Sequence, residues 1–387
     1  MIEHHRQLFP ALAHKTYFNY GGQGPLSTPA LEAIQQGFAE IQRRGPFSQA
    51  AAEWIDPVTR QLRRRLAERL KVPVQCLSLT ENVTIGSDLV LWGLDWQPGD
   101  QLLLGDCEHP GVVATARELS RRFGLELITL PVGRNPQLLE TIAAALTPRT
   151  RLLVLSPVLW NTGEVLPMTD IVEICHQTPL RPVRVLADAA QVLGMLPQDL
   201  TASGVDFYAF TGHKWCGGPE GVGGLYVSPA AADDLRPTLA GWRGVIKDES
   251  GDPVAFVSDG RRLEISTSAY PLYAGLSTAL RVADEWGDER QRYRRLQSLA
   301  EQLWFGLRQL DEVECLLSEP PASGLVSFRL RNGRHGELVR WLEQRGLQVR
   351  QLLSPNCVRA CTHYLTLESE VRDLTAAIAE FSGLKEG

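Results

Sequence analysis

The stretch Asp206-Phe-Tyr-Ala-Phe-Thr-Gly-His-Lys-Trp-Cys-Gly-Gly-Pro-Glu-Gly-Val-Gly-Gly-Leu-Tyr226 joins two apolar, strand-like runs through a glycine-rich turn. Its Lys214 ends the first run, an awkward place because an ammonium group resists desolvation. One explanation is a lysine that forms a Schiff base with a bound carbonyl cofactor. The other is an ordinary surface lysine at a strand end. Motifs elsewhere in the chain distinguish between these two explanations.

The sequence on the N-terminal side of this stretch alternates between strand-like and amphipathic, helix-like runs. This alternation predicts βαβ units around a mostly parallel sheet, with ligands bound at the carboxyl ends of the strands. The predicted strands are Gln101–Gly105, Leu125–Leu130, Leu152–Ser156, Val183–Ala187, Asp206–Phe210 and Val222–Val227, and the predicted helices are Ile85–Gly93, Gly111–Phe123, Pro136–Leu146 and Thr169–Gln177.

The sequence changes character after the loop-like stretch Gly241–Thr267. A smaller α+β domain is expected there, so we place the large α/β domain at residues 15–260 and the small domain at residues 1–14 and 261–387. Its predicted elements are a long helix at Leu276–Leu310, strands at Gly324–Leu330, Leu347–Arg350 and Val358–Cys361, and helices at Gly336–Arg345 and Glu368–Phe381.

Composition narrows the class of protein. The 387 residues are 44% hydrophobic and 22% charged, with a net charge of −6 and no basic block, which argues against a nucleic-acid surface. No apolar run has the length of a membrane span, and the N-terminus lacks the apolar core of a signal peptide, so the expected location is the cytoplasm. Seven scattered cysteines without a Cys-x-x-Cys pair make a disulfide framework or a zinc ribbon improbable, and no metal site is expected.

Asp188 ends a predicted strand in Leu186-Ala-Asp-Ala-Ala-Gln191. A buried carboxylate needs a partner, and a pyridinium nitrogen would serve, because the ion pair keeps the ring protonated and able to accept electrons. Alternatively, Asp188 caps the helix that follows.

Two more features are ambiguous when taken singly. Leu79-Thr-Glu-Asn-Val-Thr84 precedes a helical run and would make a phosphate cradle or an ordinary N-cap. His109 follows a strand and could stack on a flat cofactor ring, although most single histidines are simply satisfied surface or core residues. His213, beside Lys214, could donate a hydrogen bond to the same phosphate as Thr84.

The order and spacing of these motifs resemble the fold-type I pyridoxal-phosphate enzymes. Within them the chain is similar to the class V aminotransferase branch, which holds cysteine desulfurases and selenocysteine lyases. The resemblance runs from Tyr17 to about Leu374. The motifs that carry it are Tyr17–Pro25, Thr80–Thr84, Glu108-His109, Asp188-Ala-Ala-Gln191, Thr211-Gly-His-Lys214 and Val358–Tyr364.

The resemblance implies pyridoxal 5'-phosphate as the cofactor and assigns each motif a role. Lys214 would form the Schiff base and move the α-proton. The other implied contacts are Asp188 to the pyridine nitrogen, Gln191 to the phenolic oxygen, His109 to the ring face, and Val83, Thr84, Thr211 and His213 to the phosphate. At the oxygen edge the family has an asparagine, and without gaps Trp160 falls on that position, with Asn161 one residue beyond.

Substrate and partner contacts are implied in the same way. Arg359 matches the arginine that clamps the substrate α-carboxylate, which suits its bidentate fork. Thr267 matches the threonine that reaches the phosphate of a neighbouring subunit, so the resemblance implies a homodimer with shared active sites.

The chain departs from a cysteine desulfurase where that enzyme needs a mobile-loop thiol. Only Gln351 to Val358 separate Arg350 from Arg359, so the loop is expected to be absent. Cys357 and Cys361 would share the face of Arg359 on a strand, which suits buried small residues better than a sulfur carrier.

Without that thiol the expected reaction is β-elimination, and the pattern resembles that of the cyanobacterial L-cystine/L-cysteine C–S lyases. Cystine or cysteine would yield pyruvate, ammonia and a persulfide or sulfide; a persulfide is the better leaving group. Arg350 could bind the distal carboxylate of cystine or be a plain surface arginine. The resemblance further implies sulfur supply to an iron–sulfur acceptor protein.

Three alternatives remain at this point. The chain could be a desulfurase or selenocysteine lyase that uses Cys357 or Cys361 and releases alanine. It could be an epimerase or transaminase of the same fold. In a different class, it could be a cofactor-free sulfur-transfer scaffold, which the presence of Lys214, Asp188 and His109 argues against.

Overall fold

The computed structural model describes residues 2–383; Met1 and residues 384–387, which belong to the predicted small domain, lie outside the described part. Helices are α1 (Ile2–Arg6), α2 (Thr28–Arg44), α3 (Gln49–Leu70), α4 (Val83–Gly93), α5 (Pro110–Phe123), α6 (Leu138–Ala145), α7 (Met168–His176), α8 (Leu200–Ser203), α9 (Tyr270–Trp286), α10 (Glu289–Arg308), α11 (His335–Gln344) and α12 (Glu368–Ser382). Strands are β1 (Thr16–Tyr17), β2 (Leu77–Thr80), β3 (Gln101–Gly105), β4 (Glu126–Leu130), β5 (Thr150–Leu155), β6 (Arg184–Asp188), β7 (Phe207–Thr211), β8 (Gly223–Val227), β9 (Val245–Lys247), β10 (Pro253–Phe256), β11 (Val313–Cys315), β12 (Leu325–Leu330), β13 (Leu347–Gln348), β14 (Arg350–Leu353) and β15 (Asn356–Cys361).

The large sheet has seven strands in the order β2-β8-β7-β6-β5-β3-β4. Strands β3 to β7 pair in parallel, and β8 runs antiparallel to both β7 and β2. Every residue of β3, β7 and β8 is buried, as expected for strands covered by helices on both faces. The predicted mostly parallel α/β sheet of a fold-type I enzyme is therefore confirmed.

A second, antiparallel sheet has four strands in the order β11-β12-β15-β14. Its apolar residues form a separate core with α10, α11 and α12, to which Phe18 also contributes. The N-terminal segment reaches this sheet through β1, which pairs in parallel with β13. No helix within residues 2–383 combines the length and apolar content needed to cross a membrane.

Three sequence predictions need correction. The single helix predicted at Leu276–Leu310 is wrong, because α9 ends at Trp286 and α10 begins after Asp288. Asp288 accepts a hydrogen bond from the Gln291 N–H at 2.7 Å, and the Gln291 side chain accepts one from the Asp288 N–H at 2.8 Å. This capping box starts a new helix inside one continuous periodic pattern.

The other two corrections concern strands. The predicted strand Leu347–Arg350 is two strands, β13 and β14, which pair with different partners. The stretch Gly241–Thr267, predicted as a loop, contains the antiparallel hairpin β9–β10. Helices α2 and α3, which were not predicted, pack against α9.

Candidate active site

The predicted site residues converge on one cavity of about 570 Å³ beside the carboxyl ends of β6 and β7. The structure thus brings together most of the residues predicted from the sequence, from both sheets. Those that line the cavity are Val83, Thr84, His109, Asp188, Gln191, His213, Lys214, Arg350 and Arg359; Asn161, Thr211 and Thr267 do not.

Lys214 follows β7 and faces this cavity. Burial lowers the pKa of its amine to about 8, with the Asp188 charge opposing this shift and the guanidinium of Arg359 adding to it. A lysine with a pKa of about 8 has a far larger fraction of the free amine, the nucleophilic form, at neutral pH than an ordinary lysine. The strand end therefore supplies a reactive amine.

Asp188 is the last residue of β6 and is buried. One of its oxygens accepts a hydrogen bond from the Ala190 N–H at 3.0 Å, and no cation within residues 2–383 forms an ion pair with it. Burial raises the pKa of the carboxyl group, and the nearby charges of Lys214 and His109 offset part of this effect. A buried carboxylate with this one hydrogen bond is suited to a cationic ligand atom.

The N-terminus of α4 also lines the cavity. Asn82 caps the helix by accepting from the Ile85 N–H at 3.0 Å, so the N–H groups of Val83 and Thr84 have no intrahelical acceptor. Such a helix start favours an anion. The cap at Asn82 leaves the N–H groups of Val83 and Thr84 available, so it is compatible with the predicted phosphate cradle.

His213 also lines the cavity and is half-buried. Thr211 Oγ1 is 2.7 Å from its Nδ1, and burial lowers the pKa of the imidazole. Thr211 itself does not line the cavity. Its hydroxyl contacts the imidazole of His213 and so holds the orientation of that ring.

His109 precedes α5 and serves as its N-cap. Its Nδ1 accepts from the Gly111 N–H at 3.2 Å, so the hydrogen of the neutral ring is on Nε2. Burial lowers its pKa, which favours this neutral form. The ring meets Trp160 edge-on, with centroids 5.7 Å apart.

Glu108 was not predicted as a site residue beyond its place in the Glu108-His109 motif. It is 6% exposed and accepts hydrogen bonds from the Ser156 N–H at 2.9 Å and from Ser156 Oγ at 2.8 Å. Burial raises the pKa of Glu108 to about 8, and the neighbouring Asp188 charge adds to the shift. These contacts were not visible in the sequence, because Glu108, Ser156 and Asp188 follow or end three different strands.

The two arginines enter the cavity from the small sheet. Arg350 in β14 and Arg359 in β15 are directly opposite each other across the strands. Arg359 is 1% exposed and donates from Nη1 to the Trp160 carbonyl at 2.7 Å, and its Nε has no hydrogen-bond partner among residues 2–383. Arg350 is exposed at the cavity mouth. The site thus offers one buried and one accessible guanidinium.

The resemblance implies an asparagine near the phenolic oxygen of the cofactor. Of the two residues at that position, Trp160 lines the cavity and Asn161 does not. Asn161 is buried, and its Oδ1 has no hydrogen-bond partner within residues 2–383. Thr267 is exposed in a different groove, together with Phe47 and Trp242. No group of three or more His, Cys, Asp or Glu side chains in the described residues is arranged to hold a metal ion.

The expected absence of a mobile loop before Arg359 is confirmed. Strands β14 and β15 form a hairpin joined by Ser354 and Pro355 alone. Cys357 and Cys361 lie on β15 and are both 0% exposed. Burial raises the pKa of the Cys357 thiol to about 11, so it is not a thiolate at neutral pH.

A cavity that holds a strand-end lysine and a buried aspartate is typical of an enzyme that depends on pyridoxal phosphate. Comparison with known proteins supports this class. The sequence matches the family described as Aminotransferase class-V over residues 23–375, and the chain belongs to that family.

Three relatives illustrate which activities are found among proteins similar to this chain. The chain is 44% identical to the cystine C–S lyase C-DES, solved as a complex with its reaction product cysteine persulfide, with a TM-score of 0.93 over 96% of this chain and 99% of that one. It is 30% identical to isopenicillin N epimerase of Amycolatopsis lactamdurans over 95% of each chain. It is 28% identical to the cysteine desulfurase of Salmonella agona, over 82% of this chain and 77% of that protein.

Proposed function

We propose that the chain is a pyridoxal-phosphate-dependent C–S lyase that cleaves L-cystine, with water, into pyruvate, ammonia and cysteine persulfide. L-cysteine, which would yield sulfide, is the second substrate. One observation carries the proposal: a cofactor-type cavity with a buried lysine is lined by Arg350 and Arg359 of a hairpin that holds no mobile thiol. The similarity to C-DES supports it.

The residues of the cavity fit the cofactor. The buried Asp188 without a cationic partner would hold a protonated ring nitrogen, and the free N–H groups of Val83 and Thr84, with His213, would hold a phosphate. When bound, pyridoxal phosphate supplies an electron sink for a carbanion at the substrate α-carbon. His109 would cover the ring face, and Gln191 is the proposed contact to the phenolic oxygen; Asn161, which does not line the cavity, stays a prediction.

Lys214 would do two jobs in this site. Its amine would anchor the cofactor aldehyde and then accept the α-proton from the substrate. The lowered pKa suits both, because the free amine is the nucleophile and also the base. A protonated Lys214 could return the proton to the departing sulfur.

The two guanidinium groups favour a substrate with two carboxylates. The buried Arg359, held by the Trp160 carbonyl, would bind the α-carboxylate next to the reacting centre. The exposed Arg350, on the neighbouring strand, would meet the distal carboxylate of cystine. Cysteine has no group for Arg350 to bind, so the pair favours cystine.

A desulfurase reaction is the second candidate, since several relatives are desulfurases. It needs a thiolate that reaches the substrate sulfur and then leaves the site. Cys357 and Cys361 are fully buried on a strand, which opposes both requirements.

Product analysis tests the proposal. The purified protein, supplied with pyridoxal phosphate and L-cystine, should form pyruvate and ammonia in equal amounts, with persulfide sulfur. Stoichiometric alanine would establish the desulfurase reaction instead. Because of the similarity to an epimerase, the remaining cystine should also be checked for the D configuration, whose build-up without pyruvate would make the protein an epimerase.

We also propose a homodimer with shared active sites. An exposed groove of about 720 Å³ contains Thr267 together with Phe47 and Trp242, and Phe47 is 88% exposed. Such an apolar patch is typical of an interaction surface. A second copy seated here would bring its phosphate site to Thr267.

Sulfur supply to an iron–sulfur acceptor protein, which the family resemblance implies, and a location in the cytoplasm, which the composition and N-terminus favour, complete the proposal. An apo iron–sulfur protein supplied with iron, cystine and this enzyme should gain cluster absorbance. Gain at the same rate without the enzyme would remove this role.

A further inference from the structure

Gln191 lies between the cavity and the interior of the protein and is held at both ends of its amide. Its Nε2 donates to the Gly21 carbonyl at 2.9 Å, and its Oε1 accepts from the indole Nε1 of Trp215 at 2.8 Å. All of this is buried. Because Nε2 carries two hydrogens, one N–H of this cavity-lining side chain remains available.

The two partners decide which way the amide faces. An indole N–H can only donate, and a backbone carbonyl can only accept. Rotating the amide by half a turn would therefore place two donors together at Trp215 and two acceptors together at Gly21. Both hydrogen bonds would be lost in a buried setting, so only the observed orientation is stable.

Trp215 is itself held firmly. Its backbone carbonyl accepts a hydrogen bond from His363 Nε2 at 3.1 Å, and its ring stacks on Tyr20 at 6.3 Å between centroids. His363 is buried immediately after the strand that carries Arg359. The indole N–H therefore has a fixed position relative to Gln191.

We propose that Trp215 is a positioning residue that makes Gln191 an obligatory hydrogen-bond donor toward the cofactor. This inference rests on the proposed function, since it assumes pyridoxal phosphate in the cavity. A Gln191 free to rotate could present either its oxygen or its N–H groups to the phenolic oxygen of the cofactor. With Trp215 in place it presents only N–H, which favours the anionic form of that oxygen.

The cofactor's colour change with pH measures this effect. A fixed donor stabilises the anionic form of the phenolic oxygen. The nitrogen that joins the cofactor to Lys214 is conjugated to this oxygen and then loses its proton at a lower pH. The pH midpoint of the absorbance change of the bound cofactor is therefore lower. In the holoenzyme of Trp215→Phe, only the Gly21 carbonyl still favours the observed amide orientation, so Gln191 can also present its oxygen to the cofactor. The midpoint should then rise by about one pH unit relative to the wild type.

Trp96→Phe is the matched control, because Trp96 is also buried and donates its indole N–H to a backbone carbonyl, that of Leu91 at 2.7 Å, away from the cavity. It should leave the midpoint unchanged. Trp215→Met serves as a second variant in case the phenylalanine variant folds poorly. Circular dichroism and the amount of bound cofactor show which variants are folded.

A double-variant comparison separates positioning from general damage. If Trp215 acts through Gln191, Trp215→Phe should shift the midpoint in the wild-type background but not in the Gln191→Leu background. An equal shift in both backgrounds, or no shift in a folded, cofactor-loaded Trp215 variant, would overturn the inference alone. A wild-type protein that stays colourless with pyridoxal phosphate would overturn this inference together with the proposed cofactor.

Discussion

At the scale of single residues, Arg350 and Arg359 have the same side chain but differ in burial, and so in how strongly water screens their charge. Arg359 is buried and anchored to a backbone carbonyl, and burial lowers its pKa. Arg350, its neighbour across the strands, is exposed. A carboxylate bound at Arg359 meets a desolvated charge, whereas one bound at Arg350 meets a charge screened by water.

Arg350→Gln should therefore change substrate preference more than catalysis. For cystine we expect kcat/KM to fall about tenfold, mostly through KM, because a partly exposed charge-assisted hydrogen bond contributes on the order of 1–2 kcal/mol. For cysteine, which lacks the distal carboxylate, kcat/KM should hardly change. Steady-state pyruvate formation with both substrates is the measurement.

Arg359→Gln is the matched comparison for that prediction. It should lower kcat/KM for both substrates, since both carry the α-carboxylate. Equal losses for cystine and cysteine in Arg350→Gln would mean that Arg350 does not distinguish the two.

Glu108 makes a pH-dependent contribution to stability. Its folded pKa of about 8 lies above the ordinary value for a glutamate, so its contribution is complete in acid and is lost as the pH rises through about 8. Glu108→Gln, which stays neutral, should remove this dependence. From about pH 5 to about pH 8, the unfolding free energy of the wild type should fall by a few kcal/mol relative to the variant.

Urea unfolding of the cofactor-free proteins at both pH values would measure the difference. Glu118→Gln is a suitable control, because Glu118 is on the surface of α5 and pairs with Arg121 and Arg122. Parallel pH profiles for the wild type and Glu108→Gln would show that Glu108 is ionised in the folded protein.

At the scale of elements, the hairpin β14–β15 replaces the mobile segment of a desulfurase with a fixed pair of strands. Its backbone hydrogen bonds hold Cys357 and Cys361 on the face of Arg359. The thiols then fill space as small apolar groups, with Cys357 packed against Leu316 and Leu352.

Cys357→Ala and Cys361→Ala should both keep pyruvate formation from cystine within about threefold of the wild type. Each should cost about 1 kcal/mol of unfolding free energy, because a buried sulfur atom is removed. Activity assays and denaturant titrations on the same preparations test both statements. Loss of sulfur release in either variant, with the cofactor still bound, would return the thiol to the mechanism.

Elements differ in how well the sequence predicts them. Strands such as Gln101–Gly105 were found because an apolar run between helices is a local signal. The break between α9 and α10 was missed because apolar periodicity continues across Gly287 and outweighs the cap at Asp288. The β13–β14 split was missed because it depends on which distant strand each segment pairs with.

At the scale of the whole molecule, shared active sites would make activity a property of two chains. Thr267 lies in the exposed groove and not in the cavity of its own chain. Lys214→Ala should abolish turnover, and Thr267→Glu should abolish it too, by excluding the phosphate from the partner's site through like-charge repulsion.

Mixing and reassociating these two inactive variants should restore activity. Half of the dimers would be hybrids, each with one intact site, so about a quarter of wild-type activity is expected. Lys214→Ala mixed with a chain carrying both substitutions is the control and should stay inactive. No recovery in the first mixture, with hybrids demonstrated by mass, would place Thr267 outside the partner's site.

The candidate site was predictable in its motifs and less so in its contacts. Strand ends are local features, so Lys214, Asp188 and His109 could be found from their sequence surroundings and brought together by the parallel sheet. The contacts of Glu108 with Ser156 and of Trp215 with Gln191 join residues far apart in the chain. No sequence pattern reports the orientation of an amide or the burial of one particular carboxyl.

The two-residue connection between β14 and β15 also bears on how sulfur would travel in the cell. Under the proposed reaction the released sulfur is never tethered to the polypeptide, so it departs as a small molecule that diffuses freely. Its range is then set by its chemical lifetime in solution. Any competent acceptor nearby would then be able to take up the sulfur. Selectivity would depend on the acceptor proteins and not on direct transfer between two docked proteins.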